Sequence, residues 1–208
     1  MPTFSDIAHL LAEQAIELPS WAFGNSGTRF KVFTLPGVPR NPFEKIADAA
    51  QVHKYTGLAP SVALHIPWDK VDSYSALRKH AEDLGVRLGT INSNTFQDDD
   101  YKLGSLTHSK LRTRQKAIDH HLACIDIMNA TGSRDLKIWL ADGTNYPGQD
   151  DIRSRQERLA DSLQKIGHDD IGIDHDVKLG KAAQAPQPRV AIKERTERPN
   201  MRGVEANR

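Results

Sequence analysis

Four times in succession this chain places a short apolar, strand-like run ahead of a longer stretch with helical spacing. Apolar residues recurring at i, i+3, i+4 and i+7 mark a helix, whereas short β-rich runs between Gly, Pro or polar clusters mark strands. The first unit is "IELPSWAFG" (16–24), followed after a loop by "PFEKIADAAQVHKYTG" (42–57). The second pairs "SVALHIPW" (61–68) with "SYSALRKHAEDLG" (73–85), and the third pairs "VRLGTINSNTF" (86–96) with "HSKLRTRQKAIDHHLACIDIMNATG" (108–132). The fourth runs from "DLKIWLADG" (135–143) to "DDIRSRQERLADSLQKI" (150–166). Helices of this length suit crossovers between parallel strands, so the class is α/β. Four units make either a small doubly wound sheet or half of an eight-unit barrel. In both, ligands bind at the carboxyl ends of the strands.

Local chemistry supports these boundaries. Asn41 can cap the helix that Pro42 opens, and Gly57 stands where that helix should stop. A further helix is expected over 4–15, with Ser5 or Asp6 as its cap. Residues 25–42, rich in Gly, Pro and small polar side chains, read as a long loop of the kind that often carries function. No glycine-rich fingerprint opens a helix after any strand, which disfavours the usual nucleotide fold. After Ile166 the periodicity stops, and 167–208 carries scattered charge, several prolines and no Phe, Tyr or Trp. Such a segment cannot bury enough apolar surface to offset its ordering entropy. The expected organisation is therefore an α/β domain over 1–166 and an irregular or disordered tail over 167–208.

Charge and composition remove several partners. Lys plus Arg number 28 and Asp plus Glu 27, for a net charge of +1, which offers no attraction to nucleic acid or to an anionic membrane. Hydrophobic content is 38% and mean hydropathy −0.56, and no run approaches the roughly 20 apolar residues of a membrane span. The lone Cys124 rules out an internal disulfide and reads as a small core residue of its helix. Asp6, His9 and Glu13 interrupt any apolar core of a leader peptide. The expectation is a soluble, cytoplasmic protein.

Polar and aromatic residues gather at the expected strand ends: Trp21 near the first, His65 and Trp68 on the second, Asn92 to Phe96 on the third, Trp139 and Asp142 on the fourth. A histidine in an apolar run is commonly a hydrogen-bonded core residue, but one delivered to a strand's carboxyl end is a candidate for proton chemistry. Trp21, Phe96 and Trp139 can be core. They can also serve a sugar, whose carbon-bound hydrogens present an apolar face while its hydroxyls seek amides such as Asn92 and Asn94. Asp69 and Lys70, in "WDKVDS", read as turn residues. "HDDIGIDHD" (168–176) has the residue types of a metal site but nothing around it to fix a geometry, so it reads as solvated. His120 and His121 are neighbours on a helix, diverge by about 100° and chelate poorly.

Five blocks, "LPSWAFGNSGTRF", "LHIPWDK", "INSNTF", "YKLGSLTH" and "IWLADGTNYPGQ", occur in consistent order over roughly residues 16–166. Together they resemble the first half of bacterial L-rhamnose isomerases, metal-dependent aldose–ketose isomerases with a xylose-isomerase-like (β/α)8 barrel. The resemblance implies an incomplete TIM-type barrel of about four β/α units. It implies interconversion of L-rhamnose and L-rhamnulose with Mn2+ or another divalent cation polarising the sugar oxygens. His65 would take the place of the family's catalytic histidine, which helps to open the sugar ring. Trp21, Phe30, Trp68, Phe96 and Trp139 would line the substrate pocket, Phe30 from a loop that can cover the site. The family's metal ligands come from strands beyond the fourth, so no metal ligand is assigned in this chain. The resemblance fades near Ile166, and a reading-frame change is one expected cause. On this reading the chain is truncated and turns over little sugar alone. The alternatives are a non-catalytic sugar-binding or interaction module, and a half-barrel completed by a homo-oligomer or a separate C-terminal half.

Overall fold

The computed structural model describes residues 3–12, 14–25, 36–142, 148 and 150–168. The expectations for the tail from 169 onward, for most of "HDDIGIDHD" and for Phe30 lie outside the described residues. Helix α1 (Phe4–Ala12) is followed by strand β1 (Glu17–Pro19), α2 (Pro42–Thr56), β2 (Ser61–Ile66) and α3 (Tyr74–Asp83). Then come β3 (Arg87–Ser93), α4 (Leu111–Thr131), β4 (Leu136–Lys137) and α5 (Ile152–His168). The strands form one sheet in the order β1-β2-β3-β4, every neighbouring pair parallel. This is the repeated β/α unit in sequential order, the arrangement of a TIM-type barrel wall rather than of a doubly wound sheet.

Local capping groups mark several helix ends. In α2 the Asn41 side chain accepts the Glu44 N–H at 3.0 Å, Pro42 occupies the first turn, and Gly57 ends the helix at φ 70°. Only a residue free of a Cβ takes that left-handed cap without strain. Ser73 caps α3 by accepting the Ala76 N–H, and Gly132 closes α4 at φ 73°. The cap of α1 is Thr3, not Ser5 or Asp6: Thr3 Oγ1 accepts the Asp6 N–H, and the Asp6 carboxylate accepts the Thr3 N–H at 2.7 Å. This reciprocal pairing leaves Ser5 and Asp6 inside the first turn. The exposed face of α1 carries Phe4, Ile7 and Leu10.

Strand β2 is buried along its whole length, as a central strand covered on both faces must be. Val62 and Leu64 pack with Leu88 and Ile91 of β3 against Ile46 and Ala49 of α2, Leu77 and Ala81 of α3, and Ala117, Ile118 and Cys124 of α4, forming the core. Cys124 is fully buried, and burial pushes its thiol up to about 12, so it is a core residue and not a nucleophile. The β2–β3 register slips by one residue between Val62 and Leu64, a bulge that places Gly89 and Thr90 where one residue would do. The Thr90 N–H donates instead to the Glu17 carboxylate at 3.0 Å, which also accepts the Ser61 hydroxyl at 2.9 Å. Burial pushes the Glu17 carboxyl up, but these hydrogen bonds and the nearby Lys137 charge outweigh it and hold its pKa below the ordinary value. A Cβ on Gly89 would fall on that carboxylate, so any larger residue there must displace Glu17 from these hydrogen bonds.

All four strands are shorter than the runs 16–24, 61–68, 86–96 and 135–143 that contain them. The expected 61–68 ends at Ile66, where a turn containing a cis Ile66–Pro67 peptide begins. The expected 135–143 pairs only at Leu136 and Lys137, because β4 has a partner on one side alone and Trp139 and Leu140 leave the ladder half-exposed.

Candidate active site

The carboxyl ends of the strands bring five aromatic rings together. His65, the penultimate residue of β2, lies at their centre. Its imidazole stacks on Trp68 with centroids 3.7 Å apart and planes 14° from parallel. Trp21, from the short 3-10 turn after β1, meets it edge-on at 5.4 Å, and Phe96, beyond β3, meets it at 6.0 Å. Trp139, beyond β4, meets Phe96 at 4.5 Å and is 46% exposed, so one large aromatic surface faces solvent at this mouth. Of the residues expected from the sequence, Trp21, His65, Trp68, Phe96 and Trp139 are thus brought into one cluster.

His65 is only 6% exposed, and burial lowers its pKa to about 4. The Asp69 carboxylate opposes that shift, while His120 and Lys45 add to it. At neutral pH the ring is uncharged, with one N–H and one lone pair. Its Nδ1 is buried and makes no hydrogen bond among the described residues. The backbone of His65 is held by Asp69, which accepts its N–H at 2.7 Å and donates its own N–H to the His65 carbonyl at 2.8 Å.

Asp69 lies in the turn after β2, as expected, but it is fully buried there, accepting the Ser20 hydroxyl and the Lys45 ammonium, the latter at 2.7 Å. Lys45, on α2, is itself buried. Two buried ionised groups 24 positions apart leave no periodic signal. The only available hint was an aspartate four residues beyond a mouth histidine. Lys70, beside it, is exposed as a turn residue should be.

The remaining polar candidates hold the protein together. The Asn92 amide donates to the Leu64 carbonyl at 3.0 Å, tying β3 to β2. Asn94 donates to Gln97 Oε1 at 2.6 Å, and Gln97 Oε1 also accepts the Trp68 indole N–H at 3.1 Å. His120 accepts the Asn94 N–H at 3.0 Å, and its neighbour His121 bridges the Ala117 carbonyl and the Ser93 hydroxyl. Burial lowers the pKa of both, His121 to about 4, so the pair stays neutral and structural. Asp142 accepts the N–H groups of Ser105 and Thr107 at 2.7 and 2.9 Å and the Thr107 hydroxyl at 2.8 Å. Arg155 and Arg158 of α5 then bind Thr107 from the other side. The "GSLT" loop is thus a strut under the fourth strand's end, held there by Asp142.

Among the described residues no three His, Cys, Asp or Glu side chains stand together as donors for a metal ion. The divalent cation implied by the resemblance therefore does not fit the described residues. Among them no helix is long and apolar enough to cross a membrane.

No family model matches the chain. It is 43% identical over 161 residues to a probable sugar isomerase of Rhizobium meliloti (strain 1021), an alignment covering 75% of this chain and 37% of the relative. A probable sugar isomerase of Mesorhizobium japonicum is 41% identical over 157 residues, covering 73% of this chain and 36% of that one. The chain spans just over a third of the length of these curated relatives. Among solved structures, an L-ribulose 3-epimerase superposes with a TM-score of 0.51 at 15% identity, covering 74% of this chain and 44% of the epimerase. A D-psicose 3-epimerase in the presence of D-fructose gives 0.50 at 14% identity, with 76% and 50% covered. These likenesses are of fold alone, and the two solved structures are sugar 3-epimerases, not L-rhamnose isomerases. The chain is a sequence relative of probable sugar isomerases, folded as a partial TIM-type barrel of four β/α units.

Proposed function

We propose that the cluster around His65 is the sugar-holding wall of an aldose–ketose isomerase site, with L-rhamnose and L-rhamnulose as the pair. The observation that carries this is a neutral, buried imidazole set among Trp21, Trp68 and Phe96 at a strand's carboxyl end, with Trp139 open beside them. Aromatic faces take the apolar side of a pyranose. Opening the ring requires a proton to leave the anomeric hydroxyl and a proton to reach the ring oxygen. An uncharged imidazole holds both an acceptor and a donor for those sites. With its pKa near 4 it is a weak base in the free protein, so its role is to hydrogen-bond and relay the proton rather than to bear charge. No step through a metal ion is assigned to the described residues.

The similarity to two probable sugar isomerases supports the reaction class, and the ordered sequence blocks support the choice of sugar. The test is a tryptophan-fluorescence titration with L-rhamnose, using L-arabinitol as an acyclic control. L-Rhamnose should give a saturable change that Phe96→Ala and His65→Gln each weaken by about tenfold, roughly the loss of one well-placed contact. A wild-type response no different from the acyclic control overturns the reading. Binding that persists in EDTA without any ketose formed would instead favour a sugar-binding module.

A further inference from the structure

We propose that Asp69, anchored by Lys45 and Ser20, is a positioning residue that sets the place and orientation of His65 for the sugar. This rests on the reading of the His65 cluster given above. A histidine that handles protons is ordinarily oriented through its second ring nitrogen by a carboxylate or a carbonyl. Among the described residues no group does this for His65, whose Nδ1 is buried without a hydrogen bond to any of them. Polar orientation reaches it through the backbone, where Asp69 grips its N–H at 2.7 Å and returns an N–H to its carbonyl at 2.8 Å.

The carboxylate is in turn fixed at both oxygens. Oδ1 accepts Lys45 Nζ at 2.7 Å from α2, and Oδ2 accepts both the Ser20 hydroxyl and the His65 N–H. Ser20 is adjacent in sequence to Trp21, and Asp69 is adjacent to Trp68. One fully buried carboxylate thus ties together the end of β1, helix α2 and the end of β2, and with them three of the rings of the wall. A buried ion pair is a poor device for stability, because desolvating both charges cancels most of their attraction. Charge-assisted hydrogen bonds are strongly directional, and three of them converging on one group define a geometry that packing alone would leave looser. Burial of a lysine and an aspartate beneath a mouth histidine is accounted for by position, not by stability.

The test reads the imidazole itself and needs no sugar, so its failure is distinguishable from failure of the sugar reading. In the folded chain at pH 7.5 the His65 ring protons lie over Trp68 and are shifted upfield by its ring current; His65→Gln assigns them. The double variant Lys45→Met, Asp69→Asn removes both charges together and leaves neither one buried alone. With circular dichroism unchanged, its His65 signals should lose most of their upfield displacement. Ser20→Ala, which changes no charge, should move them the same way by a smaller amount. A folded double variant with unshifted His65 signals overturns the proposal. Should the double variant fail to fold, Ser20→Ala decides, and its indifference overturns the proposal equally.

Discussion

Mild acid should weaken this fold through its buried histidines. His65 and His121 are each lowered by burial to about 4, from an ordinary value of 6.5. The folded pKa lies below the unfolded one, so the unfolded chain binds more protons between those limits. Stability is therefore full above pH 6.5 and falls as the pH drops toward 4, where the loss levels off. One pH unit across that window costs at most about 1.4 kcal/mol per histidine. Taking pH 7.5 to pH 5.0, each of the two contributes a loss of about 2 kcal/mol, or about 4 kcal/mol together. His108 and His120 are also lowered by burial and add in the same direction. Glu17, held below its ordinary 4.5, loses its contribution only at lower pH, so the two windows separate. Against a typical total of about 5–15 kcal/mol this is a large fraction. Urea unfolding followed by circular dichroism at pH 7.5, 6.5, 5.5 and 5.0 measures it, and His65→Gln should remove roughly half of the slope. An unfolding free energy that is flat or rises from pH 7.5 to 5.0 refutes the reasoning, since it requires both imidazoles to be as free to protonate in the fold as in the open chain.

Two further substitutions test the framework that carries the site. Gly89→Ala forces a methyl group onto the Glu17 carboxylate and Ser61 hydroxyl at the β-bulge, and should cost about 1–3 kcal/mol in urea unfolding. Asp142→Ala strips the acceptor from two backbone N–H groups and the Thr107 hydroxyl, and should lower stability by about 2 kcal/mol or more, with faster hydrogen exchange at Ser105 and Thr107.

What could be read from the sequence was whatever local chemistry writes down. Asn41, Pro42 and Gly57 define α2 through groups within a few residues of one another, and the structure places the helix between them. The alternation of strand and helix gave the fold class, because each unit must cover its own sheet segment. The mouth residues were legible by position: a side chain at the carboxyl end of a parallel strand is delivered to the same rim as its neighbours. The full extent of β4 was not legible, since pairing on one side only is a property of the sheet and not of "DLKIWLADG". The bulge at Gly89 was likewise silent, because its limit on any larger residue comes from Glu17, a residue 72 positions earlier. The burial of Asp69 in its turn was silent for the same reason. Its partners Ser20 and Lys45 reach it only after three elements have packed, and an aspartate in a turn looks alike whether it faces water or a buried ammonium.

The central claim is that the ring cluster around His65 meets a sugar. A crystal structure of the chain grown with L-rhamnose tests it most directly. Bound sugar should lie against the exposed face of Trp139 and beside Phe96, with an oxygen within hydrogen-bonding reach of the His65 imidazole. A groove of about 680 Å³ lined by Tyr74, Tyr101, Lys116 and His120 is one competing place for a small molecule among the described residues. Sugar density in that groove, with the His65 cluster left bare, would contradict the account.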